Sequence, residues 1–116
     1  MAIDRSISSG STPMLLLKLL SEKDMYGYEI IEKLKKRSQN VFEMKAGTLY
    51  PLLHQLEEKN LLTVYDQEFS GKTRKYYSIT KEGRKALAEK SAEWNRYVKA
   101  VLEVMNSTEQ TMPLFS

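Results

Sequence analysis

Apolar residues recur with two different periods along this 116-residue chain, and the switch between them outlines the fold. The run Met14-Leu15-Leu16-Leu17-Lys18-Leu19-Leu20 is apolar nearly all round, which predicts a deeply buried first helix ending near Ser21. Thr12-Pro13 before it is a helix-start signature, an N-cap hydroxyl followed by proline at the first helical position. Residues 1–11, small and polar, are expected to form a disordered arm. A second helix is predicted over residues 27–37, with Ile30, Ile31 and Leu34 as its inner stripe. Its last turn, Lys35-Lys36-Arg37, suits the negative end of the helix dipole. A third helix is predicted over residues 46–59, where Leu49, Leu52, Leu53 and Leu56 fall at i, i+3, i+4 and i+7. Asn60 then offers a left-handed cap, with Leu61 placed to fold back on the helix.

After Leu61 the pattern turns β-branched and aromatic. The segments "LTVYDQEF" and "RKYYSI", separated by "SGKT", predict a hairpin with Ser-Gly at the bend. Thr80 caps a final helix over residues 81–106, with Glu82 in its favourable first turn. That helix would be about 39 Å long, against a radius of gyration of about 13 Å for a domain of this size. It must therefore project beyond its own core. Leu87, Ser91, Trp94, Val98, Val101 and Met105 are spaced 4, 3, 4, 3, 4 along it, a coiled-coil-like seam. A seam that one domain cannot cover implies a second copy, so a homodimer is expected. Residues 107–116 carry no pattern and are expected to be a disordered tail. The order of elements predicts a mostly α fold with a small β-hairpin. A winged helix-turn-helix domain over residues 12–80 carries a long C-terminal dimerisation helix.

Composition narrows the function classes. The chain is 41% hydrophobic and 28% charged, with a formal charge of +3. Location matters more than the sum: residues 69–81 hold Lys72, Arg74, Lys75 and Lys81 and no acid, whereas residues 41–68 hold two cations and five acids. The absence of cysteine excludes disulfides and a Cys-based metal site or nucleophile. His54 is the single histidine and lacks the partners a metal site needs. Glu57 and Glu58 are adjacent on a helix and diverge by about 100°, so they do not make a carboxylate pair. No catalytic constellation is visible, and neither an enzyme, a metal nor a cofactor is expected. There is no apolar leader-type region and no run of membrane-spanning length, which makes a cytoplasmic protein the expectation.

In a winged helix-turn-helix the third helix enters the major groove and the hairpin lies beside it on the backbone. Opposite the Leu stripe of that helix stand Gly47, Pro51, His54 and Glu58, flanked by Tyr50 and Gln55. Gly47 leaves room for another backbone, and Pro51 lacks an N–H where this matters least. On local sequence alone, the same two residues also read as a frayed helix start. Tyr50, His54 and Gln55 carry groups that hydrogen-bond to phosphates or base edges. Lys72, Arg74 and Lys75 bracket the turn within reach of phosphates or an adjacent minor groove. A charged hairpin tip that keeps a sheet edge soluble is the alternative. Tyr26 and Tyr28 fit either packing or phosphate contact.

The stretches "YGYEI" (26–30), "GTLYPLLHQLEE" (47–58) and "SGKTRKYYSIT" (70–80) followed by "KEGRKAL", with a C-terminal helix bearing Trp94, resemble the PadR family of transcriptional regulators. The single C-terminal helix is similar to the smaller branch of that family. The resemblance spans roughly residues 14–105. It implies a homodimeric DNA-binding regulator, usually a repressor released by a small molecule. By the same resemblance, residues 45–59 are the recognition helix, bringing Lys45, Gly47, Thr48, Tyr50, Pro51, His54 and Gln55 to DNA. Residues 70–75 are the wing tip, with Lys72, Thr73, Arg74 and Lys75, and residues 81–105 are the dimer helix. His54-Gln55, Asn60 and Thr73 stand where members often carry basic residues, Gly and Pro. Trp94, with the small Ser91 one turn earlier, either fills the dimer seam or lines a slot for a planar aromatic effector. A winged-helix module that uses the same surface on a protein partner, without binding DNA, is the competing reading.

Overall fold

The computed structural model describes residues 5–108, with side chains from residue 10 onward. Its elements run α1 (Arg5–Glu22), β1 (Met25–Tyr26), α2 (Gly27–Arg37), α3 (Ala46–Glu58), β2 (Leu62–Phe69), β3 (Lys72–Ile79) and α4 (Lys81–Asn106). One core joins them: Leu16, Leu17 and Leu20 of α1, Ile30 and Leu34 of α2, Leu49, Leu53 and Leu56 of α3, and Leu62, Tyr77 and Ile79 of the sheet. Each fully buried Leu or Ile contributes about 1.5–3 kcal/mol relative to exposure. The predicted inner stripes of α2 and α3 are the ones that face this core.

Local signals set the ends of α2 and α3. The α3 chain leaves through Asn60 at φ 63°. The Leu61 N–H bonds to the Leu56 carbonyl and the Asn60 N–H to that of Glu57, the paired bonds of a Schellman cap. α2 ends the same way, with Gln39 and Asn40 at positive φ and the Asn40 N–H on the Lys35 carbonyl.

One expectation is corrected and another is extended. First, α1 starts at Arg5 and carries Pro13 inside it, so Thr12-Pro13 is not its start. Residues 5–11 of the expected disordered arm are helical; residues 1–4, and residues 109–116 of the expected tail, lie outside those described. Pro13 costs the helix one N–H, but Ser11 and Thr12 beside it are buried, and that tertiary burial overrides the local capping signal. Second, the sheet has three strands in the order β1-β3-β2, because Met25 and Tyr26 pair with Tyr77 and Tyr76. The hairpin bend is the pair Ser70-Gly71, both at positive φ, closing Phe69 against Lys72. This is the primed turn whose twist matches the strands. Lys72 and Thr73 therefore belong to β3 and not to the turn.

The root of α4 is held by Thr80. Its hydroxyl donates to the Asn60 carbonyl at 2.7 Å and accepts from the Gly83 N–H at 2.9 Å, while its own N–H bonds to the Leu61 carbonyl. Gly83 is buried, and a Cβ there would collide with the Leu61 carbonyl oxygen and lie 2.7 Å from Ile79 Cγ1. Beyond this root α4 runs out of the core, and the molecule measures 72 × 31 × 21 Å. Gly83→Ala is expected to destabilise the fold by about 1–3 kcal/mol, because a backbone carbonyl cannot step aside as a side chain would. Thr80→Ala should cost about 1 kcal/mol as a lost cap. Urea denaturation of both variants checks the order.

Candidate nucleic-acid interface

With Leu49, Leu53 and Leu56 committed to the core, α3 turns its other side outward. Lys45, Gly47, Thr48, Pro51, His54 and Gln55 are all exposed, and Tyr50 is 38% exposed. Pro51 lies well inside α3, one turn past the residue whose carbonyl its missing N–H would have bonded. That residue, four positions earlier, is Gly47. A proline ring crowds the carbonyl of residue i−4, and glycine is the residue that most easily tilts to relieve it. A Cβ on Gly47 would meet nothing within 4 Å. The pair is thus a matched device within a continuous helix and not a frayed start. It leaves a shallow strip of little side-chain bulk along the outward face.

Tyr50 is less free than its helical position implies. A Cβ on Gly27 would collide with the Tyr50 hydroxyl and lie 2.6 Å from its Cζ. The ring therefore lies across the first residue of α2, and it is glycine there that admits it. Tyr50 ties α3 to α2 as well as facing outward. Burial of Tyr77, on the core face of the sheet, raises the pKa of its phenol, with Tyr50 and Glu57 of α3 nearby adding to the rise.

The wing arranges its charges differently from the linear sequence. Strand alternation puts Thr73 and Lys75 on the same face as Tyr77, towards the helices, and Lys72 and Arg74 on the opposite face. The register also brings acids to the strand opposite: Asp66 pairs with the cation Lys75, and Glu68 with Thr73, between Lys72 and Arg74. Lys75 Nζ is 3.2 Å from Asp66 Oδ1, both well exposed, so the pair is weak and readily exchanged. Lys72 and Thr73 remain exposed at the tip. Arg74 is half-buried, with its guanidinium 4.4 Å above the Tyr26 ring and 5.7 Å from that of Phe69. The sequence window that seemed acid-free thus faces acids on β2, and one of its three tip cations is stacked on aromatic rings.

On the outer sheet face, Tyr65 and Tyr76 stack across strands with centroids 5.8 Å apart. The Tyr65 hydroxyl donates to Asp24 at 2.6 Å, which pushes its pKa up to about 12. Sequence reasoning missed this cluster because β1, which supplies Tyr26, is two residues long. Along α4, Leu87 is packed against its own core and Ser91 is half-buried, so among the expected seam positions exposure begins at Trp94. From there Val101 and Met105 are exposed, as are Tyr97, Leu102 and Val104, which the single heptad stripe passed over. The Trp94 and Tyr97 rings lie 5.8 Å apart and tilted. Among the described residues no group of His, Asp or Glu is placed to hold a metal, and no helix is long and apolar enough to cross a membrane.

Comparison with known proteins fits this geometry. Residues 16–89 match the model of the transcriptional regulator PadR-like family. A transcriptional regulator from Clostridium thermocellum is 33% identical, with a TM-score of 0.79 over 84% of this chain and 96% of that one. A PadR family transcriptional regulator from Eggerthella lenta is 32% identical, with a TM-score of 0.78 over 89% of this chain and 88% of that one. The transcriptional regulator YqjI of Escherichia coli is 32% identical over 85 residues, which is 73% of this chain and 40% of that regulator's length.

The contact between Gly27 and Tyr50 has a measurable consequence. In Gly27→Ala the Tyr50 ring must swing off α2 while the fold survives, since the ring is the movable end of a side chain. Gly27→Ala and Tyr50→Ala should therefore lower DNA affinity to a similar degree, and the double variant should be no worse than either single one. Fluorescence anisotropy with labelled duplex reads all three.

Proposed function

The chain belongs to the PadR-like family of transcriptional regulators, and from that premise we propose that it is a homodimeric, sequence-specific repressor released by a small-molecule effector. The observation that carries the DNA reading is the outward side of α3. A helix whose buried stripe is complete still exposes Thr48, Tyr50, His54 and Gln55 around the open Gly47–Pro51 strip. A helix inserted in the major groove needs such a face, with polar groups to reach base edges and little bulk to hold the backbone off. Lys45 at the α3 N-cap and Lys72 and Thr73 at the wing tip are the phosphate contacts we assign to it. Lys75 would join them by exchanging Asp66 for a phosphate.

The dimer reading rests on α4. Trp94, Tyr97, Val101, Leu102, Val104 and Met105 expose apolar surface on a helix that the winged unit cannot reach, and Val101 and Met105 were among the positions of the expected seam with Leu87, Ser91, Trp94 and Val98. A second copy related by a two-fold axis would cover both stripes at once and set two α3 helices one DNA turn apart. Trp94, with Ser91 a turn earlier, would then meet its symmetry mate. The exposed Trp94–Tyr97 pair supports a slot there for a planar aromatic effector. Such a protein acts on the chromosome and needs no cofactor or membrane.

Two measurements test this reading. Affinity for a selected duplex should fall steeply as salt rises, and Lys72→Ala should flatten the salt slope by about one unit. His54→Ala and Gln55→Ala should instead relax preference at particular base pairs by about 1–3 kcal/mol. Binding indifferent to salt would move the face to a protein partner.

Sedimentation addresses the dimer. Val101→Glu with Met105→Glu should convert a dimer to monomers that hold half-sites weakly, and should abolish quenching of Trp94 fluorescence by planar aromatic dyes. A dimer that survives both charges would place the contact elsewhere.

A further inference from the structure

Arg74 stands in a tip-side position where sequence patterning alone makes it a phosphate contact, yet it lies half-buried against aromatic rings. Its guanidinium lies 4.4 Å from the Tyr26 centroid and 5.7 Å from that of Phe69, and the two rings are themselves 6.4 Å apart. Its Nε is buried and makes no hydrogen bond to any described residue. A guanidinium held this way rests against two neighbouring rings and is closed at its Nε edge. The rings, and not a phosphate, thus set the orientation of its plane in the free protein.

The ring it rests on is not part of the hairpin. Tyr26 ends β1, pairs with Tyr76 of β3, and is the residue from which α2 begins. The next residue is Gly27, on which the Tyr50 ring of α3 lies. A continuous line of contacts therefore runs from the wing (Phe69, Arg74) through Tyr26 and Gly27 to Tyr50 on the outward face of α3. On the edge of β3 away from β2, β1 has already turned into α2 at the level of Arg74, so no strand pairs with that edge there and the aromatic contact bridges the gap. An Arg over aromatic faces suits this role, because the planar cation is attracted to both rings and is weakly hydrated.

We propose that Arg74 is a positioning residue for DNA binding: it clamps the wing to the start of α2, and so fixes the angle between the wing and the recognition face of α3, without itself contacting phosphate. The proposal rests on the DNA-binding reading above. It divides the wing cations by task, with Lys72 neutralising phosphate and Arg74 holding the hairpin that carries it.

The test uses the full chain and four variants, Arg74→Lys, Arg74→Ala, Tyr26→Leu and Lys72→Ala. Two readouts are taken: amide hydrogen exchange of residues 66–75 in the free protein, and duplex affinity as a function of salt. Arg74→Lys keeps the charge but loses the stacking plane. It should speed wing exchange and weaken DNA binding by roughly three- to thirtyfold, with the salt slope unchanged. Arg74→Ala and Tyr26→Leu should do the same, whereas Lys72→Ala should leave exchange alone and lower the slope by about one unit. The proposal is overturned if Arg74→Lys binds as wild type while Arg74→Ala loses a unit of slope, the signature of a phosphate contact. Wing exchange unaltered in Arg74→Lys overturns it too, even if Tyr26→Leu does not fold. Failure of the wild-type chain to bind any duplex would remove the DNA reading, and the exchange data would still decide whether the clamp exists.

Discussion

The Thr80 hydroxyl donates to the Asn60 carbonyl of the α3 cap and accepts from the Gly83 N–H in the first turn of α4, so one side chain closes two helix ends at once. The Thr80 N–H on the Leu61 carbonyl adds a third bond, and Gly83 lets that same carbonyl sit where any Cβ would stand. Helix ends ordinarily leave several backbone groups to solvent, and they fray. Here the C-terminus of α3 and the root of α4 satisfy each other and share the burial of Leu56, Leu61 and Ile79. The root of α4 is thereby tied to the C-terminus of α3, which links the outward face of α3 to the helix that carries the exposed apolar stripe.

A second joint does the same at the other end of α3. Tyr50 lies on Gly27, Tyr26 carries Arg74, and the Tyr65 phenol reaches Asp24, so β1 becomes the hub between wing, α2 and α3. It is only two residues long, and its own backbone pairing could not hold the hairpin. Aromatic contact supplies the rest. The consequence for electrostatics is that the wing is less cationic, and more rigid, than a count of its lysines and arginines implies. Asp66 offsets Lys75 and the Tyr26 ring occupies Arg74. Lys72 is left as the unencumbered tip cation among the described residues of the hairpin.

How much of this was legible in the sequence follows from how local each signal is. The bounds of α2, the left-handed Asn60 and the Thr80 cap rest on contacts within a few residues, and periodicity and capping chemistry suffice to find them. The leucine stripe likewise named the buried face of α3, and hence its exposed one. What stayed hidden depends on partners distant in sequence. The start of α1 is decided by burial of Ser11 and Thr12, β1 exists only because Tyr76 and Tyr77 lie alongside it, and Lys75 meets Asp66 only in the register of the folded hairpin. Tyr50 and Arg74 were recognised as functional candidates from residue type. That each also braces the fold, one on a glycine and the other on a ring, needed coordinates.

The two joints together constrain how an effector could act on the proposed dimer. A ligand near Trp94 changes DNA affinity only by preferring one arrangement of the two α4 helices over another, and its leverage cannot exceed that preference. If the helices cross near Val98, the α4 root lies about 27 Å from the pivot. A change of about 10° there displaces the root, and α3 with it, by about 5 Å. The Thr80–Gly83 joint offers no give to absorb the shift. Since the two recognition helices must match sites one DNA turn apart, about 34 Å, a displacement of this size in opposite senses on the two protomers is enough to spoil simultaneous insertion. Stiffness at the root of α4 is therefore what would turn a small rearrangement around an aromatic ligand into a large difference in operator affinity. Linkage then requires that operator DNA disfavour the ligand by the same factor.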